Sequence, residues 1–387
     1  MNTLPRLSRS ALATAAGALL LVGGTAGSTA APVPPPESAA ATDAVGKAPA
    51  TPSTPSTRST SAPTSLDVTA LPRGPRPDLT YAVDRHPVFG DGDFHLVRGR
   101  SGERRPLPEG PLGDFVHYPG SGHTVLSYGT EAGAVVELVG RDGRMIEQQR
   151  GLDGYGLATT PSGDIVGWQQ DDGRVRVLER GARRALELAP VRRGASLGAL
   201  WGRGTCKEQA PEGGGCTAFL NTADDRRVWL TSSHGIVDTV PRVHRVVDVG
   251  PGGRLLGLVE KRGDHRGCWG VVTPRRVAWR TCERELVAFS PDGRHVAGVA
   301  GSRYWATTRG VTILDAAGAT VADWRLGRGA NRLVGQLVWE DAEHLLAVVS
   351  QGDTFAIVRF GVDGTAELAG PTIDVPDRYS PFRLPLA

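Results

Sequence analysis

The segment LVAFSPDGRHVAGVA at positions 286–300 constrains the fold more than any other part of the chain. Two β-rich runs flank the sequence SPDG at 290–293, in which Pro291 fixes φ for a tight turn and Gly293 accepts the positive φ that completes it. The segment therefore predicts a β-hairpin. Related turn sequences stand at positions 118–122, 160–164, 250–254 and 340–344.

These turns recur at intervals of roughly 40 to 50 residues, which is the repeat length of four-stranded propeller blades. A further repeat is split between residues 79–107, which hold about three strands, and residues 379–386, which remain after the last blade. Pairing one strand from each end in the same blade removes an open sheet edge. We therefore predict an all-β fold, a β-propeller of seven four-stranded blades closed by pairing of N- and C-terminal strands, with six or eight blades as alternatives. Complete repeats begin near Asp114, Tyr155, Ser196, His244, Leu286 and Leu333.

The sequence FSPDGR at 289–294, followed by an apolar strand, resembles the repeat of TolB-type and WD40-like bacterial β-propellers. The Trp-Asp pair that names WD40 repeats does not recur at blade ends, and Trp324 follows Asp323 in the reverse order. The resemblance implies a propeller that is used mainly as a binding platform, although a fold alone does not determine function.

The amino-terminal residues predict export. Arg6 and Arg9 precede an apolar run at 11–22, and the sequence STA at 28–30 supplies the small residues that a signal peptidase requires. We expect a signal peptide over residues 1–30 and a secreted, extracellular or cell-envelope protein. The apolar run is shorter than the ~20 residues of a membrane-spanning helix. An uncleaved membrane anchor is the alternative, and stable membrane insertion is not expected.

Residues 31–65 are rich in Pro, Ala, Ser and Thr, as in the sequence TPSTPST at 51–57. Such a composition buries too little apolar surface to offset chain entropy. We predict a disordered linker there, either a wall-spanning or glycosylated stalk or a neutral leader, and a propeller domain over residues 66–387.

The four cysteines, Cys206, Cys216, Cys268 and Cys282, suit an oxidising compartment. Cys268 and Cys282 would lie on adjacent strands of one hairpin, and Cys206 and Cys216 bracket a glycine-rich loop within one blade. We predict the disulfides Cys206–Cys216 and Cys268–Cys282. Neither pair has the two-residue spacing of a zinc knuckle, so no metal site is predicted.

Charge and motifs exclude several function classes. The chain has 44 basic and 41 acidic residues, a formal net charge of +3, which does not favour a nucleic-acid partner. Ser196 lies in a G-x-S-x-G match, but no strand-to-helix elbow is expected around it. Acidic pairs at 91–93, 171–173 and 224–225 are typical of hairpin turns. We predict no catalytic residues, no cofactor and a monomer.

Connections between the second and third strands of each blade should gather at one end of the propeller, where loops on a rigid scaffold usually recognise partners. Arg303, Tyr304 and Trp305 stand in one such loop, and arginine and aromatic residues dominate binding hot spots. Arg262 and His265 form a second candidate patch in the loop at 260–267.

These observations support two hypotheses on function. The first is a secreted non-catalytic β-propeller that acts as a binding platform for an unknown protein, peptide or cell-wall glycan. The alternative is a propeller enzyme, a glycan hydrolase or lyase, with its site at the central channel. Two or three carboxylates converging at the channel mouth would favour the enzyme, because glycosidases use paired carboxylates.

Overall fold

The structure is a computed structural model of the chain. The structure describes residues 62–84, 93–107, 112–118, 121–130, 133–152, 156–170, 172–182, 184–191, 195–203, 205–206, 215–262, 266–300, 308–327, 332–375 and 380–386. The predicted signal peptide and nearly all of the predicted linker lie outside these residues.

Short strands separated by glycine turns form seven small antiparallel sheets, which are the blades of a propeller. The first elements are β1 (Thr64–Leu66) and a 3₁₀ turn (Val68–Ala70). Blade 1 contains β2 (Tyr81–Asp84), β3 (Phe94–Arg98) and β4 (Glu103–Pro106); blade 2 contains β5 (Leu112–Tyr118), β6 (His123–Thr130), β7 (Gly133–Val139) and β8 (Met145–Leu152); blade 3 contains β9 (Leu157–Thr159), β10 (Ile165–Gln169), β11 (Val175–Glu179) and β12 (Leu186–Glu187).

The later blades repeat the same up-and-down order. Blade 4 contains β13 (Ala195–Arg203), β14 (Gly215–Thr222), β15 (Val228–Ser232) and β16 (Val237–Val240); blade 5 contains β17 (Arg245–Gly250), a 3₁₀ turn (Pro251–Gly253), β18 (Arg254–Arg262), β19 (Arg266–Val272) and β20 (Val277–Thr281). Blade 6 contains β21 (Glu285–Phe289), β22 (His295–Val299), β23 (Gly310–Asp315) and β24 (Thr320–Leu326); blade 7 contains β25 (Arg332–Trp339), β26 (His344–Gln351), β27 (Thr354–Gly361) and β28 (Ala366–Leu368), with β29 (Ile373–Asp374) also on β27.

The hairpin predicted at 290–293 forms as expected. Gly293 has a φ of 69°, and its N–H donates to the Ser290 carbonyl at 2.7 Å. The Ser290 hydroxyl donates to Asp292 Oδ1 at 2.7 Å, so the side chains fix the turn as well as the backbone. Any other residue at 293 would be strained by the positive φ.

The ring closes between the two ends of the propeller region, which confirms the predicted fold. The innermost strand of blade 1 is β30 (Phe382–Arg383), and it pairs antiparallel with β2, Val83 opposite Phe382. The Phe382 side chain is fully buried. The apolar core lies between neighbouring blades, as where Trp324 of blade 6 packs on Phe360 of blade 7 with ring centroids 4.8 Å apart.

The sequence did not predict the course of residues 64–76, which we name the rim segment. Its strand β1 adds to the outer edge of blade 6 and runs parallel to β24, with Leu66 opposite Leu326. The chain then crosses to blade 7, where Arg73 forms a parallel bridge with Leu368 of β28. Leu66 and Val68 are buried in the core between these two blades. The rim segment therefore covers the outer edges of two blades.

Side chains of blade 7 hold the rim segment. Gln351 accepts the Val68 N–H at 3.1 Å and donates to Asp67 Oδ1 at 2.8 Å. Arg359 donates to the Pro75 carbonyl at 3.1 Å, and it pairs with Glu340 at 2.6 Å. The two charged side chains of that pair are only 8% and 4% exposed. This ion pair is therefore buried beneath the segment, where Arg359 also pairs with Glu367 at 2.5 Å.

In the part of the chain that the structure describes, no helix has the length and apolar character needed to cross a membrane.

Candidate functional site

A cavity of about 480 Å³ lies where the innermost strands of the blades meet. Residues of β5, β9, β13, β17, β21 and β25 line it, together with the tail 384–386 that follows β30. The tail is fixed by hydrogen bonds from Leu386 N to the Phe115 carbonyl and from Leu384 N to Gln336 Oε1, both at 2.8 Å. We name this cavity the central channel.

Irregular strands shape the channel wall. The ladders of β5, β13, β17, β21 and β25 with their neighbours each contain a β-bulge or register shift. An extra residue in a bulge bends the strand and redirects its side chains, and bulges are frequent next to functional sites. The residues at these positions that line the channel are Asp114, Gly198, Val247, Val287, Gly335 and Gln336.

The channel runs between the two faces of the propeller. Pro161, Pro251 and Pro291 lie in turns between first and second strands at one end. Thr308, which lies between β22 and β23 in the sequence, lines the other end. Aliphatic side chains dominate the wall in between. They include Leu157, Val247, Val287, Leu337, Leu384 and Leu386.

Asp248 is the most constrained acid in the channel. Its Oδ1 accepts the Val249 N–H and its Oδ2 accepts the Phe289 N–H of the next blade, both at 2.7 Å. Asp248 is half-buried, and desolvation of its carboxyl group raises its pKa to about 6, although the two backbone donors act in the opposite direction. The group is therefore ionised near neutral pH and takes up a proton in mild acid.

Asp114 has a related environment on the opposite side of the ring. Burial raises the pKa of its carboxyl group, while a backbone hydrogen bond from Leu157 and the charge of Arg383 lower it. Its own N–H donates to Ser127 Oγ at 3.2 Å within blade 2. Asp114 and Asp248 thus both contact the backbone of the following blade from a bulged inner strand.

Two further charged residues, Glu285 and Arg245, line the channel at the first positions of β21 and β17. Arg245 Nε donates to Asp225 Oδ1 at 2.8 Å, and the Asp225 side chain is only 4% exposed. The guanidinium of Arg245 is therefore already paired with a buried carboxylate. Glu285 is half-buried.

Among the described residues that line the channel there is no histidine, cysteine, tyrosine or lysine. In the same described part of the chain, no group of three or more His, Cys, Asp or Glu side chains could hold a metal ion. The oxygens of Asp248 are bonded to backbone N–H groups, so this acid connects blades 5 and 6.

Most of the residues predicted to bind a partner lie outside the described residues: Arg303, Tyr304, Trp305 and His265. Arg262 is described at the end of β18, where it is exposed and its Nε donates to Glu260 Oε1 at 2.7 Å. It does not line the channel. Glu260 also accepts from Arg280 at 2.6 Å, so Arg262 belongs to a surface ion-pair network.

The predicted cysteine pairs are confirmed. Cys206, which follows β13, and Cys216 of β14 form a disulfide with a Cα–Cα distance of 4.9 Å. Cys268 and Cys282 form the second in blade 5, with a Cα–Cα distance of 4.0 Å.

The G-x-S-x-G match and the acidic pair at 224–225, for which no functional role was predicted, lie in a strand and in a hairpin turn as expected. Ser196 lies within β13 opposite Asn221 and not at a strand-to-helix elbow. Asp224 lies in the turn between β14 and β15, where its Oδ1 accepts the Arg226 N–H at 3.2 Å.

No sequence pattern predicted the channel acids. Asp114 and Asp248 each stand alone among apolar residues of a strand, and no motif marks them. The bulges that direct them depend on strand pairing and not on a local turn sequence.

No protein-family model matches the chain, and no curated protein matches it. Among solved structures, hydrazine synthase of Kuenenia stuttgartiensis is 14% identical with a TM-score of 0.44, over 63% of this chain and 75% of that one. A eukaryotic initiation factor is 13% identical with a TM-score of 0.44, over 83% and 92%. KlHsv2 with loop 6CD replaced by a Gly-Ser linker is 10% identical with a TM-score of 0.45, over 74% and 93%. These similarities identify neither a family nor a ligand.

Proposed function

We propose that the protein is a secreted, non-catalytic β-propeller that binds a protein, peptide or cell-wall glycan, a segment of which enters the central channel. The observation that carries this proposal is the channel itself, about 480 Å³ in volume and walled by aliphatic side chains with a few charged groups. Ligand pockets typically have volumes of about 300–1,000 Å³ and this mixture of apolar and polar residues.

Arg303, Tyr304 and Trp305 precede Thr308, which lines the channel, by three to five positions in the sequence. In this proposal these three residues, together with Arg262 and His265, contact the partner.

The two disulfides support secretion, because stable disulfides are typical of oxidising compartments. In this proposal residues 1–30 are the signal peptide and residues 31–65 are the linker. The propeller is a monomer of the TolB-type or WD40-like class.

A second candidate function is a glycan hydrolase or lyase. One observation favours it: Asp114, Asp248 and Glu285 all line the channel, and the pKa values of both aspartates are raised. A carboxyl group with a raised pKa can act as a general acid. The bonds from Asp248 to Val249 and Phe289 give this acid a structural role instead, which is why we place binding first.

The test uses the full chain, its Val287→Phe variant and its Val237→Phe variant. Val287 is half-buried in the channel wall, whereas Val237 is 43% exposed on the outer strand β16. Each protein is incubated with envelope proteins and, separately, with purified wall glycan. Binding that Val287→Phe abolishes and Val237→Phe retains supports the proposal.

If the full chain cleaves the glycan and Val287→Phe does not, the protein is a glycan hydrolase or lyase and the proposed binding function is wrong. Equal binding by all three proteins would exclude the channel as the site.

A further inference from the structure

We infer that the tail at 384–386 acts as an intramolecular ligand of the central channel, and that the channel binds an extended peptide with leucine side chains at alternate positions, which competes with this tail. The inference rests on the proposed binding function and names the class of ligand. It follows from the place where the tail leaves its sheet, from its bonds with the wall and from the apolar clusters that hold its two leucines.

The tail leaves the sheet of blade 1 directly after β30. The ladder between β30 and β2 ends with Arg383 opposite Ala82, and residues 384–386 belong to no strand. All three residues nevertheless line the channel. Strand pairing within blade 1 therefore does not hold the tail in place.

The two neighbouring blades hold the tail by its backbone. Leu384 N donates to Gln336 Oε1 of blade 7, and Leu386 N donates to the Phe115 carbonyl of blade 2, both at 2.8 Å. Phe115 stands in β5, an innermost strand whose one neighbour in its sheet is β6. An open strand edge binds extended peptides through their backbone groups, while alternate side chains give specificity. The wall thus contacts the tail in the way that it would contact a peptide ligand.

The side chains of the tail indicate which residues such a ligand carries. Leu384 is 2% exposed and packs in the core cluster that includes Val338. Leu386 is half-buried and packs against the cluster that includes Leu157. Val338 and Leu157 both line the channel. Two leucines at alternate positions of one short segment therefore contact two different apolar clusters of the wall.

Pro385 suits the position between the two leucines. It is buried, and it has no N–H that would need an acceptor there. Proline also favours an extended conformation of the residue before it. A peptide with the sequence Leu-Pro-Leu would therefore bind in an extended form without an unpaired donor at its centre.

The charged residues of the wall favour an uncharged ligand, because they already have partners. Both oxygens of Asp248 accept backbone N–H groups, and Arg245 pairs with a buried carboxylate. Asp114 lies in the field of the Arg383 guanidinium, and Glu285 also has an interaction partner in the protein. An aliphatic segment meets this wall without supplying a counter-charge.

The tail and a free peptide cannot use the same contacts at the same time. The tail follows the closing strand directly, so its effective concentration at the channel is high and a free peptide must displace it. Removing the tail raises the fraction of the protein that is open to the peptide, and the apparent affinity rises by the same factor.

The test measures binding of a labelled synthetic peptide, Gly-Leu-Pro-Leu-Ala, to the full chain and to a shortened variant that lacks residues 384–387. We expect the shortened variant to bind this peptide at least about tenfold more tightly than the full chain does. A peptide in which serine replaces both leucines should bind neither protein. Adding Val287→Phe to the shortened variant should abolish binding of the leucine peptide.

Leu386→Ser in the full chain is a second variant, because it weakens the contact of the tail and keeps both the closing strand and Leu384. Its matched control is Ile236→Ser, since this isomeric side chain is 56% exposed and does not line the channel. Affinity for the leucine peptide should rise in Leu386→Ser and stay unchanged in Ile236→Ser. Thermal unfolding shows which variants are folded, and Leu386→Ser decides the outcome if the shortened variant is not.

Equal affinity of the full chain, the shortened variant and Leu386→Ser would show that the tail does not compete, and this result would overturn the inference. Failure of the folded tail variants to bind the leucine peptide would also overturn it. In either case, an envelope protein or wall glycan that binds the full chain and not Val287→Phe would leave the proposed function intact. No channel-dependent binding of any of these probes would overturn both proposals.

Discussion

The carboxylate of Asp248 in blade 5 accepts the backbone N–H of Phe289 in blade 6 at 2.7 Å. The same residue lines the central channel. One acidic side chain therefore connects two blades and contributes to the charge of the proposed binding site. Its protonation should change both properties together.

The first prediction concerns pH. The pKa of Asp248 is about 6 in the folded protein against 3.8 for an ordinary aspartate, so its contribution to stability is fully present below pH about 4 and is lost as the pH rises through about 6. The free energy of unfolding of the wild type, relative to Asp248→Asn, should fall over this range by at most about 3 kcal/mol. Urea unfolding of both proteins at intervals between pH 4 and pH 7 measures the difference, and a flat difference would contradict the assigned environment.

The second prediction concerns the ion pair under the rim segment. Arg359→Gln leaves Glu340 buried without its cation and should lower the free energy of unfolding by about 3–5 kcal/mol. The control is Arg226→Gln, because the side chains of Arg226 and Asp224 are 81% and 54% exposed. Breaking such a surface pair changes stability by about 0–1 kcal/mol. Similar losses in the two variants, measured by denaturant unfolding, would show that Arg359 does not hold the segment.

The third prediction concerns ring closure. Phe382 is fully buried in the strand that completes blade 1, so Phe382→Ala should destabilise the protein by about 3–5 kcal/mol through lost burial and a residual cavity. Met145 on the outer strand β8 is 54% exposed, and Met145→Ala should change stability by less than about 0.5 kcal/mol. Calorimetric unfolding compares the two. A small loss for Phe382→Ala would mean that the propeller is stable without its closing strand.

The fourth prediction concerns the disulfides. Removing either pair by double Cys→Ala substitution should cost about 2–3 kcal/mol, because each bridge constrains a loop of the unfolded chain. The bridges lie in different blades, so the two losses should add. Thermal unfolding of the two double variants and the quadruple variant checks this. A quadruple variant no less stable than the double variants would contradict independent contributions.

Blade architecture was predictable because the turns carry local signals. Pro291 and Gly293 have dihedral preferences that can be read without knowing what the strands contact, and the spacing of such turns gave the repeat length. The split blade followed from the same count, since residues 79–107 were one strand short. The cysteine pairs followed from the hairpins in which they stand.

The rim segment and the channel were not predictable, because no local sequence signal marks them. The position of residues 64–76 depends on contacts with Arg359 and Gln351, which are distant in sequence. The channel acids Asp114 and Asp248 are set by bulges that form only when neighbouring strands pair. Tertiary pairing, and not local preference, decides both features.

The closing strand β30 has a consequence for how the protein reaches its native state. Arg383 of β30 pairs with Ala82 of β2, and almost the whole propeller sequence lies between these two residues. The rim segment likewise can pair only after β24 and β28 have been synthesised. Contacts of such large sequence separation form late and slowly. During synthesis, the early blades would therefore persist as an open arc with an exposed sheet edge. The most vulnerable period of this protein, to aggregation and to proteases, is the interval before its last strand emerges.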